Sequence, residues 1–248
     1  MTGPMKKNPG YLFVLGDVAM FLFAAATYFV TFGVPLLLIW RFRTASPLAL
    51  LALAIAGYVL ALLIFIGMLV GAKKVIAGPI PPGQYPVTDP LFYRWTFAVR
   101  LVCLYESSPF RWLINDFSFF RLLFFRGMGT RISTDVWVAL RVSMMDPWTL
   151  AIGHNTIIGQ EALITGHLVI QDQLYVEKVE IGSDVVVGAR AMIGPGVRIG
   201  DGAIIAPGAG LLPYSVVPPG QTWSGTPAQP VSGIGENAAK GSAAPDDV

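Results

Sequence analysis

The chain has 248 residues, 54% of them hydrophobic and only 13% charged, with a mean hydropathy of +0.62. That is too apolar for a simple water-soluble domain, and a formal net charge of +2 is too small to point to nucleic acid as a partner. The single cysteine, Cys103, excludes an intrachain disulfide framework and, within an apolar run, reads as a small core residue.

The apolar surplus lies near the N-terminus. Leu12 to Trp40 carries Asp17 as its one charge, and Pro47 to Ala72 carries none. Crossing a bilayer takes about 20 apolar residues, so each stretch suffices, the first with room to tilt or kink at Pro35. Two such stretches, both too long for a cleaved signal peptide, predict a transmembrane helical hairpin over residues 1–76. Lys6 and Lys7 precede it, Lys73, Lys74, Arg94 and Arg100 follow it, and Arg41 and Arg43 sit in its loop. The larger basic count predicts both termini in the cytoplasm, hence an integral protein of a bacterial inner membrane. Asp17 is costly inside an apolar span. It marks an acceptor path or, the favoured reading, pairs with a neighbour near the end of the span.

Residues 77–130 read as a connector followed by amphipathic helices. Gly78-Pro79-Ile80-Pro81-Pro82-Gly83-Gln84-Tyr85-Pro86 is stiff and non-helical. Asp89-Pro90 is a helix start with Asp as cap, predicting a helix to about Tyr105. Ser108-Pro109 repeats the signal for a second helix ending near Gly127 or Gly129. Aromatic and leucine side chains interleaved with Arg94, Arg100, Arg111, Arg121 and Arg126 suit helices at a membrane interface, or ordinary packing.

From residue 131 the pattern changes to a period of six. Ile181, Val187, Ile193, Ile199, Ile205, Leu211 and Val217 are spaced by six, and Ile152, Ile158, Ile164 and Ile170 keep the same beat. Gly or Ala follows at Gly182, Gly188, Gly194, Gly200 and Ala206, and small or β-branched residues fill the fourth place after the aliphatic. A fainter run from Ile132 through Val136 and Val138 is the first coil, and Met144 to Leu150 is irregular. A six-residue period is the pattern of a hexapeptide solenoid, a parallel β-helix whose coils bury their apolar rows only by stacking. The spacing from Ile170 to Ile181 breaks the frame, so the residues between them leave the prism as a loop. The β-helix domain covers 131–231, and the Gly-, Ala- and Asp-rich stretch 232–248 reads as a disordered tail.

Chemistry is constrained by the presence of just two histidines, His154 and His167. Zinc held by three imidazoles is therefore excluded within one chain, and no metal site is expected. His167 falls at a corner of the solenoid just before the frame breaks, where an imidazole is either a general base or an idle surface group. Glu161 and Asp172 are both candidates to orient it, and spacing does not choose between them.

Gly166-His167 followed by Val179-Glu180-Ile181-Gly182-Ser183-Asp184-Val185-Val186-Val187-Gly188 resembles the "GH … I-x-I-G-x-x-V-W-I-G" stretch of the hexapeptide acyltransferases, which include galactoside, maltose and xenobiotic acetyltransferases. Pro195 to Ala203 resembles their "PGVxIGdga", and Pro218-Pro219-Gly220 with Gly225-Thr226-Pro227-Ala228 their "vPpg…GxPA". The resemblance implies a left-handed β-helix, a homotrimer, and His167 as catalytic base. It implies acetyl-CoA or another acyl thioester as co-substrate with no permanently bound cofactor. The donor's pantetheine arm would run beside Gly188, Ala189, Ala206, Ala209 and Gly225. The chain departs from the pattern at Val186 (Trp in the motif), Ser133 (Gly in the first hexad) and Gln229 (Lys or Arg after "GxPA"). More loosely, the order of hairpin, Pro-Gly-Gln-Tyr-Pro, aromatic helices and prism resembles the membrane-embedded terminal units of ε-poly-lysine-type peptide synthetases, which join amino acids. The expectation is a membrane-anchored acyltransferase acting on a hydroxyl or amine of a membrane-associated or lipid-linked acceptor. An amide-forming unit and a non-catalytic trimeric scaffold are the alternatives.

Overall fold

The structure, a computed structural model, describes residues 10–231. The expected tail 232–248 and Lys6 and Lys7 lie outside the described residues. The chain forms two compact bodies, one running to Ile114 and including Val169–Leu174, the other made of Asn115–Leu168 and Tyr175 onward. The expected divisions at 76 and 130 fall inside these two bodies: the helix after the connector packs with the apolar hairpin, and the last helix packs on the first coil.

In the first body α1 (Gly10–Arg41) and α2 (Pro47–Ala72) are apolar on every side, and each is long and apolar enough to cross a membrane. The Ser46 hydroxyl accepts from Ala49 N–H at 3.3 Å and Pro47 takes the first helical position, which fixes where α2 starts. Helix α1 continues through Pro35, whose ring is buried against Gly57; a Cβ there would sit 3.3 Å from the Pro35 Cβ. The faces turned away from this contact expose Phe21, Phe29, Leu48 and Ile55. Asp17 pairs with Arg100 at 2.5 Å, the favoured of its two readings.

Helix α2 loosens into a π-turn over Lys73–Ala77. The carbonyls freed there find side-chain donors: Lys73 Nζ reaches Gly78 O at 2.9 Å, and Arg94 donates to Ala77 O at 2.6 Å and Pro79 O at 2.9 Å. Helix α3 (Pro90–Glu106) starts as expected, with Asp89 Oδ1 accepting from Leu91 N–H at 2.7 Å. It buries Trp95, Ala98, Leu101, Val102 and Tyr105. Cys103 lies off that stripe and is exposed, so it is not a core residue.

The second expected helix is two. Ser108 does not cap it; its hydroxyl donates to Tyr105 O at 2.7 Å and closes α3 instead. Helix α4 (Arg111–Asp116) stops at the extended Phe117, and α5 (Ser118–Met128) ends at Gly129, whose φ of 113° favours glycine. Arg121 is buried and bridges the break, donating to Asn115 O and to Val136 O of the first coil, both at 2.7 Å. Arg126 binds Ile132 O. These two arginines thus serve the solenoid rather than an interface, while Phe117, Phe119 and Leu123 stay exposed.

The second body is the expected parallel β-helix. The first face stacks Arg131–Ile132, Leu150–Ile152, Val179–Ile181, Arg198–Ile199 and Val216–Val217 in register. The second stacks Trp137–Val138, Ile157–Ile158, Val186–Val187, Ile204–Ile205 and Thr222–Gly225, closed by the antiparallel strand Ala228–Val231. The third stacks Ser143–Met144, Leu163–Ile164, Met192–Ile193 and Gly210–Leu211. The aliphatic of each hexad is buried in the prism, and so are the small-slot residues Thr156, Ala162, Val185 and Ala203. The residue after the aliphatic is small for a backbone reason: a Cβ on Gly159 would lie 2.6 Å from the Ala189 nitrogen of the next coil.

Two interruptions shape the molecule. Between Met144 and Ile152 the corner takes two residues beyond a hexad and forms a short 3₁₀ turn, Pro147–Thr149. After Ile164 the chain leaves as strands His167–Ile170 and Gln173–Val176, with Gly83–Pro86 as the third strand and Val87 N–H donating to Asp172 O at 2.9 Å. The expected loop is thus a β-hairpin. Ile170, counted in the ladder, is 50% exposed and belongs to the hairpin rather than the prism.

Candidate active site

His167 sits at the corner between the third and first faces. The 3₁₀ turn on the preceding coil places Asp146 beneath it, fully buried. Asp146 Oδ2 lies 2.5 Å from His167 Nδ1. The same oxygen accepts from Gly166 N–H at 3.0 Å and from Thr165 Oγ1 at 3.2 Å. A buried carboxylate needs such donors, and a backbone N–H can only donate, so the oxygen acts as acceptor and the ring proton belongs on Nδ1. In that tautomer Nε2 carries the lone pair. The imidazole side chain keeps 22% of its surface exposed. The Asp146 carbonyl is held in turn by Thr149, through its N–H at 2.9 Å and its hydroxyl at 2.8 Å.

Gly166 is required by space. A Cβ there would run into the Thr149 hydroxyl and come within 2.9 Å of the Glu177 carbonyl. On the same edge the Tyr214 hydroxyl approaches Glu177 Oε1 at 3.4 Å; desolvation and then the Glu177 charge push the phenol above its usual range.

Neither expected orienting carboxylate touches His167. Glu161 is held by Arg190 at 2.8 Å with Arg141 at 3.6 Å, and the Arg190 hydrogen bond lowers its carboxyl below the usual range. Asp172 lies at the turn of the hairpin, where its backbone carbonyl serves Val87. The carboxylate that does touch His167, Asp146, stands 21 residues earlier in the chain, and its local signal is Asp146-Pro147 inside the corner that takes two residues beyond a hexad.

The residues expected along the donor gather on a different edge, between the second and third faces. Gly188 and the exposed Ala189 lie there, and the turn beginning at Gly225 comes to the same edge, with Thr226 Oγ1 donating to Gly208 O at 3.2 Å. Ala189, Arg190, Gln160, Pro207 and Gly208 line a hollow of about 430 Å³. Ala206 and Ala209 are buried within the prism, so they shape this edge from inside and offer no outer surface. Gly188 is fixed by the next coil, since a Cβ there would meet the Pro207 nitrogen. The third face separates this edge from His167, so one chain does not bring the two sets together.

Fold and repeat define a hexapeptide-repeat solenoid, a parallel β-helix. The family described as bacterial transferase hexapeptide (six repeats) matches residues 178–218. Among curated proteins the chain is similar to a delta-poly-L-ornithine synthetase of Acinetobacter baumannii, 26% identical over 196 residues. That match covers 79% of this chain and spans only 14% of the relative's length. Among solved structures it is similar to a hexapeptide-repeat acetyltransferase of Vibrio cholerae complexed with acetyl-CoA (18% identity, 60% of this chain and 92% of that one, TM-score 0.46). It is also similar to a maltose O-acetyltransferase from Clostridium difficile (16% identity, 61% and 92%, TM-score 0.45).

Proposed function

We propose that this protein is an acyltransferase that moves an acyl group, in the first instance acetyl, from a CoA-type thioester to a hydroxyl or amine, with His167 as general base. The observation that carries the reading is the buried Asp146 carboxylate on His167 Nδ1, which sets the tautomer in which Nε2 is basic. Nε2 takes the proton from the acceptor as its oxygen or nitrogen attacks the thioester carbonyl carbon. The C–S bond of the tetrahedral intermediate then breaks, and the imidazolium returns the proton to the departing thiolate.

The separation of the two edges supports an oligomer. In a closed three-fold ring with the third face turned to the axis, the His167 edge of one copy meets the Gly188–Ala189 edge of the next. Each cleft then holds one base and one donor surface, and much of the rate comes from holding both substrates together. The apolar, outward-facing α1 and α2 support an anchor in a bilayer, where they would concentrate a membrane-associated or lipid-linked acceptor.

A second reading rests on the poly-ornithine synthetase match and on Gln229 standing where a cation would meet a coenzyme A phosphate. In it the same base deprotonates an amine, the donor is an aminoacyl thioester, and the product is an amide. Incubating membranes that contain the chain with labelled acetyl-CoA, or with a labelled aminoacyl thioester, separates the readings. Label passing to membrane-associated material from acetyl-CoA supports the first reading, and from the aminoacyl donor alone the second. Turnover of neither donor leaves a scaffold.

A further inference from the structure

A third corner of the solenoid, between the first and second faces, carries a recess of about 680 Å³ that the transfer chemistry does not use. Arg126, Arg131, Ser133, Thr134 and His154 line it. Among the described residues Arg131 makes no hydrogen bond or ion pair through its side chain, and neither hydroxyl of Ser133 and Thr134 is engaged. Arg126 is held in place by Ile132 O through Nε and one terminal nitrogen, which leaves the other terminal nitrogen as a donor. No carboxylate lines the recess; beside it Asp135 stands 3.4 Å from His154 Nδ1, and Glu180, in the same row of the first face as Arg131 and Ala151, pairs with Arg198 at 3.5 Å. Two guanidinium groups and no carboxylate in the lining leave its wall positive, and two hydroxyls add neutral donors.

We propose that this recess binds a phosphate group. Planar guanidinium forks match phosphate oxygens bidentately, hydroxyls supply the remaining donors, and the excess positive charge suits an anion. Coil stacking builds the site from three segments: the C-terminal end of α5 gives Arg126, the first coil gives Arg131, Ser133 and Thr134, and the second gives His154. The phosphate comes either on a lipid headgroup or on a soluble phosphoester. The site stands apart from His167, so it holds or fails independently of the acyl-transfer reading.

The test is calorimetric titration of the detergent-purified full chain with inorganic phosphate and, separately, with dihexanoyl-phosphatidylglycerol. Saturable binding is expected, weakened about tenfold by Arg131→Gln, the loss of one charge-assisted contact. The double variant Ser133→Ala with Thr134→Ala is expected to weaken it by a smaller factor. Arg131 is exposed, so its variant should keep the parent melting temperature. Tighter binding of the short-chain lipid than of phosphate assigns a headgroup as the source, and equal or weaker binding a soluble phosphoester. No saturable binding of either probe, or binding unchanged by both variants, overturns the proposal.

Discussion

A carboxylate with no exposed surface beside an imidazole decides which ring nitrogen holds the proton. Asp146 does this for His167 while also serving Gly166 and Thr165, so in the proposed reaction it would act through His167 as a positioning residue. Asp146→Asn keeps the shape but removes the charge and exchanges one acceptor oxygen for an NH2 donor. Transfer should fall by at least about tenfold, and by up to ~10⁴ where the tautomer is lost, with the KM for the thioester little changed. Asp146→Ala should also lower stability by about 1–3 kcal/mol, because the Gly166 N–H loses its partner in a buried place. Gly166→Ala should cost about 1–3 kcal/mol through its clash with Thr149, read as a lower melting temperature. His167 was legible as a candidate because its motif is contiguous with the frame break. Asp146 was not, because coil stacking makes the contact between residues far apart in sequence, and no local pattern encodes which coil lies under which.

Within the solenoid the six-residue period carries the fold almost unaided. A hexad aliphatic must meet its counterparts above and below, and the small residue after it must clear the next backbone. Counting by six fails at the lengthened corner between Met144 and Ile152 and where the chain leaves the prism, and Ile170 shows what happens when the count runs one hexad too far. The two isoleucines give opposite expectations. Ile164→Ala opens a cavity in the stacked core and should cost about 2–5 kcal/mol, whereas Ile170→Ala should stay within about 0.5 kcal/mol. Thermal inactivation of the two variants side by side checks this, and equal losses would contradict a frame with Ile164 inside the prism and Ile170 outside it. The helices before the solenoid were legible by their starts, as Asp89 shows. Their allegiances were not, because an arginine on an aromatic helix looks the same in sequence whether it meets a lipid headgroup or, as Arg121 does, a buried carbonyl.

At the scale of the whole molecule, the proposed base and the proposed donor surface occupy different edges of one prism, and the proposal needs a ring of copies to unite them. The apolar hairpin was plain from composition. Which edges the proposed site uses was not, because the hexad pattern is the same on all three faces. Met192 lies on the third face with 47% of its surface exposed, so Met192→Glu should break the oligomer and abolish transfer without unfolding the prism. Sizing and transfer assays on the same sample check both halves of that statement. Ala189→Trp should block the donor edge alone. Co-expressed with His167→Ala, it should restore part of the activity, since some clefts then pair an intact His167 with an intact Ala189. No restoration in mixed oligomers would contradict a shared cleft.

The most direct measurement is the single-turnover rate of thiol release from the accepted thioester by His167→Ala and by the parent chain, at saturating donor and equal oligomer content. A general base contributes about 10²–10⁴-fold, so the variant should be slower by at least about 10²-fold while donor affinity is preserved. A variant that releases thiol at the parent rate would remove His167 from the chemistry and leave its pairing with Asp146 as architecture alone.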